Sequence, residues 1–328
     1  VRNCIYLVPR SDAFLALAVA EEQWRPRTTR ELEKAGSDWK EVESAAAAAL
    51  EVLKKSPQTP DGIRRALPKD AIRSLGVMGK KVGISSVLPI ALRLLEFEHR
   101  IQRSLPDGRL DSEKYVWEAT TNSGPNLELR AAAERTVLLA RRFFEFAAPA
   151  TLDHFSEWAG ISKKDAGAAV AVSGLVPVDI EGLEDTFFGS SEPVSLSAPT
   201  RRPVFLPFED NLTALHGGPG LLSDPEHHAI PVPAWGSSKL STLGQGAHMT
   251  ARPVAIDGQI CGLWEFDPDT GTVFTSLFCR GEESARVTAA SRSLEQLLVR
   301  DLGHGRSFSL DTDQTLRERV TFLRSMSW

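Results

Sequence analysis

The sequence predicts an α+β chain with helices first and short strands last, and three observations carry that prediction. From Ser56 to Trp117, two short helical segments, a longer apolar helix and a strand pair follow one another. Between Leu127 and Phe188 the same order of elements returns in fainter form. From Val204 onward the pattern changes to short strands, separated by Asp-Gly and Asp-Thr-Gly turns and closed by an amphipathic helix. Helix, helix, helix and hairpin is the order of a winged helix-turn-helix. The predicted architecture is therefore tandem winged helix-turn-helix modules followed by a β-barrel-like C-terminal domain.

The chain opens on Cys4-Ile5-Tyr6-Leu7-Val8, a strand-like run with nothing before it to pair with. That placement leads us to expect that residues 1–38 are the remnant of an N-terminal module whose natural chain extends upstream. A Val read from a non-ATG start codon is the other explanation. Ser11 to Lys34 reads as a helix with Phe14, Leu15, Leu17 and Ala18 toward the core. The first complete module, 39–121, begins with a helix from Trp39 to Lys55, whose five consecutive alanines, Ala45 to Ala49, favour helix strongly. Thr59-Pro60 is a start signal: Thr caps free amides, and Pro at the first helical position has no amide to leave unpaired. From Ser85 onward Val87, Leu88, Ala91, Leu92, Leu94 and Leu95 give one apolar helical face, with Arg93 turned away. Arg100 to Leu105 and Glu113 to Trp117 read as strands joined at Pro106-Asp107-Gly108-Arg109, where Asp-Gly is a strong hairpin turn.

The second module, 122–189, starts with a linker at Asn122 to Asn126 and a long helix from Leu127 to Phe146. A short helix follows from Asp153 to Trp158, then the turn Gly160-Ile161-Ser162. Ser162 caps a third helix through Val172, with Asp165 three residues on. After Gly174, Leu175 to Ile180 and Thr186-Phe187-Phe188 flank an acidic turn as a second wing. Ser190 to Pro203, rich in Ser and Pro, marks a boundary. In the C-terminal domain, 200–328, strands are expected at Val204 to Pro207, Arg252 to Ile256, Ile260 to Phe266 and Thr272 to Phe278. A helix from Glu282 to Arg300 should turn Leu294, Leu297 and Leu298 inward.

At 328 residues, 42% apolar and 25% charged, the chain has the composition of an ordinary globular protein of two or three domains. No run approaches the roughly 18 apolar residues of a membrane span, and no secretory signal opens it. Cys4, Cys261 and Cys279 are odd in number, widely separated and set in apolar surroundings, so they read as reduced core residues of a cytoplasmic protein; a monomer is expected. The net charge is −5, which argues against a wholly basic surface. From Lys54 to Arg109, however, 12 Lys and Arg face 5 Asp and Glu, a net of +7. From Leu110 to Trp328 the counts are 19 and 29, a net of −10. A basic strip on an acidic body suits phosphate steering, which depends on the contacts made rather than on total charge. Double-stranded DNA, damaged DNA included, is the expected partner. Lys80, Lys81, Ser85, Ser86, Arg93, Arg103 and Arg109 are the expected contacts, with a lesser contribution from Lys163 and Lys164. The bland reading of the same residues is a solvated helix face.

Other constellations point less far. His216, His227, His228 and His248, with Asp210, Asp224 and Glu226, crowd the irregular stretch 210–248. Imidazole and carboxylate suit Zn, Mn or Fe(II), so a metal-dependent enzyme centred there is one alternative. Their spacing matches no known metal motif, and loop histidines more often cap turns, so no metal and no cofactor is expected. Gly217-Gly218-Pro219-Gly220 lacks the Lys and Ser/Thr of a phosphate loop. Trp158, Trp235 and Trp264 read first as core or domain-contact aromatics and second as base-stacking wedges.

Three further words recur in order: Phe143-Phe144-Glu145-Phe146-Ala147-Ala148-Pro149-Ala150-Thr151 with Phe155, Trp158, Ala159 and Gly160; Leu206-Pro207-Phe208-Glu209-Asp210-Asn211-Leu212; and Asp257-Gly258-Gln259-Ile260-Cys261-Gly262-Leu263-Trp264. With Arg2-Asn3-Cys4-Ile5-Tyr6-Leu7-Val8-Pro9-Arg10-Ser11-Asp12 before them, they span the chain as far as the C-terminal helix. On these words the chain resembles the AlkZ/YcaQ-type winged-helix DNA glycosylases. The resemblance implies tandem winged helices around a DNA-binding cleft, a β-barrel element, and hydrolysis of the N-glycosidic bond of alkylated or crosslinked bases. It also implies a catalytic Gln-x-Gln or Gln-x-Asp in the N-terminal winged helix. None of Gln23, Gln58, Gln102, Gln245, Gln259, Gln296 and Gln314 begins either pattern, so no catalytic residue carries over. Two expectations follow: a glycosylase whose motif lies upstream, or a non-catalytic winged-helix DNA-binding regulator.

Overall fold

A computed structural model describes residues 9–68, 71–109, 114–120, 131–191, 198–235, 239–246, 248–307 and 311–326. Within these the chain divides into two compact units. One falls within Val1–Arg109, Lys114–Phe146 and Phe155–Pro177, the other within Ala147–His154 and Val178–Trp328. The strand expected at Cys4 to Val8 and the linker expected at Asn122 to Asn126 lie outside the described residues.

The first unit opens on helix α1 (Arg10–Ala35), followed by α2 (Trp39–Leu53). α1 buries Val19, Leu32 and Ala35, whereas Phe14, Leu15, Leu17 and Ala18, expected in the core, are only half-buried. Gly36 ends the helix at φ +70, and Ser37 N–H returns to the Leu32 carbonyl at 2.9 Å, satisfying an end carbonyl that has no partner within the helix. α2 is capped by Asp38, which accepts from Glu41 N–H at 2.9 Å. Val42, Ala45, Ala46, Ala49, Leu50 and Leu53 recur at helical spacing on its buried face.

Next come α3 (Pro60–Ala66), α4 (Gly76–Lys81) and α5 (Leu88–Phe97), then strands β1 (Ile101–Ser104) and β2 (Val116–Ala119). The Thr59 cap forms as read: its hydroxyl accepts from Gly62 N–H at 3.1 Å. Gly79 sits where a Cβ would come within 2.1 Å of the Ile84 carbonyl oxygen, so the α4 turn requires glycine. α5 packs on α2, and its Leu88, Ala91, Leu92 and Leu95 lie in one buried cluster with Ala45, Ala49 and Leu53 of α2. β1 and β2 pair antiparallel, Ile101 opposite Ala119 and Arg103 opposite Trp117. The second strand starts at Val116, after Lys114 and Tyr115, and Glu113 lies outside the described residues. One pairing was not anticipated: Gln58 exchanges both backbone bonds with Trp117, tying the segment before α3 to the hairpin.

The chain continues through α6 (Ala132–Ala147), β3 (Ala150–Thr151), α7 (Leu152–Ala159), α8 (Lys163–Ala171), β4 (Val176–Val178) and β5 (Phe187–Gly189). Phe143 packs on Phe144, Phe155 and Trp158, with ring centroids 5.0 to 5.3 Å apart. Ser162 caps α8 through Asp165 N–H at 3.1 Å. The three short strands form one sheet in the order β3-β5-β4.

The second unit holds β6 (Pro203–Phe205), α9 (Asn211–Ala214), β7 (Pro231–Pro233), β8 (Leu240–Thr242), β9 (Arg252–Ile256), β10 (Gln259–Asp267), β11 (Thr272–Leu277), α10 (Glu282–Gln296) and α11 (Asp313–Ser325). All four predicted strands are present and pair antiparallel in the order β11-β10-β9-β6. Among the described residues the sheet ends at β6 and β11, so it is a curled half-barrel and not a closed one. Asp257 and Gly258, at φ +51 and +85, make the tight turn between β9 and β10. Val254, Ile256, Trp264, Phe266, Val273, Val287, Leu298 and Leu316 form its core. α11 packs on β10 and β11.

A buried ionic network ties that helix to the sheet. Arg252 lies 3.3 Å from Glu265 and 3.5 Å from Asp311, and Arg319 bonds both carboxylates at 2.5 and 2.9 Å. Burial pulls the Arg252 guanidinium below its ordinary range.

Candidate nucleic-acid interface

The basic residues of the first unit divide into two groups according to what holds them. On α4, Lys80 and Lys81 occupy the last turn and are exposed, a position that the negative end of a helix favours for cations. Val77 and Met78, one turn earlier, are also open to solvent at 70% and 53%. The α4 surface is therefore cationic and apolar together. Arg64 and Arg65 close α3 and are exposed. Neither was among the expected contacts, although two arginines in the last turn of a short helix were a signal to follow.

Arg93 and Arg103 are held inward. Both donate to the Glu96 carboxylate, at 2.8 and 3.0 Å, with side chains 26% and 20% exposed. The Arg93 guanidinium lies 5.5 Å from the Phe97 ring centroid. That of Arg103 lies over Tyr115 and Trp117, at 5.0 and 4.7 Å. Glu96 thus joins α5 to the base of the hairpin. Ser85 is exposed, and its carbonyl accepts from Leu75 N–H at 3.0 Å. Ser86 is 1% exposed, with its hydroxyl accepting from Arg64 at 3.1 Å. A hydroxyl so enclosed cannot reach a phosphate in this conformation. Arg109 is half-buried at the hairpin turn, where its N–H donates to the Asp107 carboxylate at 3.0 Å. Lys163 and Lys164 are exposed on the first turn of α8, beside the capping pair Ser162 and Asp165. The positive end of a helix disfavours cations there.

The histidine-rich stretch resolves into separate structural contacts. His216 faces the Leu212 carbonyl at 2.8 Å and the Ala147 carbonyl at 2.9 Å. His228 faces the carbonyls of Gly220 and Ser223 at 3.0 and 3.2 Å. His227 stacks on Phe278 at 4.8 Å. Asp210 caps α9 by accepting from Leu212 N–H at 2.8 Å, and Asp224 caps a short 3-10 turn at Glu226. Among the described residues no three His, Cys, Asp or Glu side chains are grouped as metal ligands. No helix among them is long and apolar enough to cross a membrane. Of the three tryptophans weighed as stacking wedges, Trp158 packs on Phe143, Trp264 is buried with its indole N–H donating to the Leu206 carbonyl at 2.9 Å, and Trp235 is 49% exposed.

Comparison with known proteins adds a family. The family model described as AlkZ-like, "DNA glycosylase AlkZ-like", matches residues 1–301. A search of curated protein sequences finds no match. Among solved structures, the Streptomyces sahachiroi DNA glycosylase AlkZ is similar at a TM-score of 0.58 and 18% identity. The match covers 92% of this chain and 77% of that one. At that identity the likeness is one of fold.

Proposed function

The chain belongs to the AlkZ-like DNA glycosylase family, and on that premise we propose that it binds duplex DNA through a winged-helix module spanning α3 to β2. The family match over residues 1–301 carries this reading. Support comes from the exposed Lys80 and Lys81 on α4 and from a local net charge of +7, 12 basic against 5 acidic residues, between Lys54 and Arg109. In this reading α4 and the exposed ends of its neighbours meet phosphate, while Glu96 holds Arg93 and Arg103 as supports of the hairpin. The role is handling of damaged DNA, with alkylated or crosslinked bases as the lesion class.

Hydrolysing an N-glycosidic bond requires a group that positions water and stabilises an oxocarbenium-like sugar. The 328 residues contain no Gln-x-Gln or Gln-x-Asp. We therefore propose binding without excision by that pair. The test is alkali-sensitive strand cleavage on duplexes carrying N7-methylguanine, scored against spontaneous depurination, with affinity measured on the same duplexes. The expected result is binding with little sequence preference and base release at the background rate. Robust turnover would overturn the non-catalytic part and move the search for a carboxylate or amide to other residues. The same missing motif favours a second reading, a non-catalytic regulator. That reading predicts one preferred DNA sequence, bound on the order of a thousandfold or more above random duplex.

A further inference from the structure

Cys261 and Cys279 lie far apart in sequence, and the second unit brings them together. Cys261 sits on β10, one residue before the Gly262–Leu277 pair that joins β10 to β11. Its carbonyl accepts from two successive backbone N–H groups, Phe278 at 2.8 Å and Cys279 at 3.3 Å. Two residues set against one is the pattern of a β-bulge, which re-aims a side chain that regular alternation would send to the opposite face. The packing agrees. Phe278 packs with Leu263 and Met249, whereas Cys279 joins the core cluster that holds Cys261, Trp264 and Phe266. The two cysteine side chains hydrogen-bond to each other, and neither is in a disulfide. Cys261 is 8% exposed and Cys279 is half-buried.

The two thiols are unequal. Burial pushes Cys261 up to about 12, and the neighbouring Cys279 adds to the shift. Burial raises Cys279 as well, but there the hydrogen bond from Cys261 acts in the opposite direction. Cys261 is thus the donor that keeps its proton, and Cys279, the more open sulfur, ionises first. We infer that Cys261 and Cys279 form an oxidation site, at which a hydroperoxide joins them in a reversible disulfide. The Cys279 thiolate attacks a peroxide oxygen, the O–O bond breaks, and hydroxide leaves, giving a sulfenic acid on Cys279. The Cys261 sulfur then attacks the Cys279 sulfur. An S–S bond forms, the S–O bond breaks, and the hydroxyl leaves with the Cys261 proton as water. In sum both thiols are oxidised, and hydrogen peroxide is reduced to water. The new bond closes a loop around the β10–β11 hairpin and fixes the chain just before α10 begins at Glu282. None of this depends on how the first unit meets DNA.

Mass spectrometry of the folded full chain tests the site. The chain is treated with hydrogen peroxide, its remaining thiols are alkylated, and it is digested at acidic residues. Cleavage at Glu265, Asp267 or Asp269 separates the two cysteines, so a bond between them leaves two peptides linked. The expected result is a Cys261–Cys279 link at the mass of a single chain, lost on treatment with dithiothreitol. Cys261→Ala should leave a sulfenic acid on Cys279 that dimedone traps, and Cys279→Ser should leave Cys261 reduced. The link itself is read on the wild-type chain and needs no variant. Four results would overturn the inference: both thiols still open to alkylation after peroxide, links to Cys4 or between chains in place of this one, Cys279 oxidised beyond recovery by dithiothreitol with Cys261 unlinked, or a link that forms only in urea.

Discussion

Glu96 shows at the scale of one residue how a basic strip divides into contacts and supports. Its carboxylate receives both Arg93, which the helical pattern turns away from the apolar face, and Arg103, expected as a DNA contact on the first hairpin strand. Periodicity identifies the face that turns away from the core, but not whether a carboxylate waits there. The same gap explains Ser85 and Ser86: adjacent in sequence and identical in chemistry, one is exposed and the other is enclosed under Arg64. Replacing Glu96 by Ala leaves two half-buried guanidiniums without their acceptor, which should cost about 1–3 kcal/mol. A urea titration should show a lower midpoint with unchanged slope. Glu98 gives a pH signature. Burial raises its carboxyl above the ordinary range, and Arg100 at 3.6 Å only partly offsets this. A raised folded pKa favours the protonated form on folding, so its stabilising contribution is complete at acid pH and is lost as pH rises through the folded pKa. Glu98→Gln should therefore raise the melting temperature at neutral pH, with the gain vanishing below about pH 4, near the ordinary Glu range.

At the scale of elements, the caps and turns were the most legible features. Thr59-Pro60, Ser162 with Asp165, and Asp257-Gly258 each act locally, so a few residues determine the outcome. Helix α11 was not read at all. Its sequence is mostly charged, and only Leu316, Val320 and Leu323 form its buried stripe. Its start is a capping box built from Thr312 and Thr315, without the more familiar Glu or Gln. Leu297 was read as inward and is 44% exposed. The last turn after α10, Leu297–Leu302, winds as a π-helix and shifts the helical phase, so Leu298 takes the buried place. Because α11 covers the sheet, Leu316→Ala should destabilise by about 2–5 kcal/mol. Glu265→Ala removes a partner of both Arg252 and Arg319 inside the same core. Removing one partner of a buried pair costs about 3–5 kcal/mol. Both losses should appear as lower unfolding midpoints.

At the scale of the whole molecule, the mixture of helix and sheet and the order of most elements followed from pattern, because helices, caps and hairpins form between neighbours in sequence. The long-range features did not. The Gln58 pairing with Trp117 and the ion network of Arg252 depend on residues that no local pattern connects. The contacts to DNA belong to that less legible class. Lys80 and Lys81, exposed on α4, stand apart from Arg93 and Arg103, held by Glu96. Each lost phosphate contact lowers the slope of log affinity against log salt by about 0.9. The decisive measurement is that slope on a random-sequence duplex for the wild-type chain, Lys80→Ala/Lys81→Ala and Arg93→Ala/Arg103→Ala. The expected slope is shallower by about 1.8 for the lysine pair and equal to wild type for the arginine pair. A wild-type slope for the lysine pair, or wild-type binding that does not respond to salt, would contradict it.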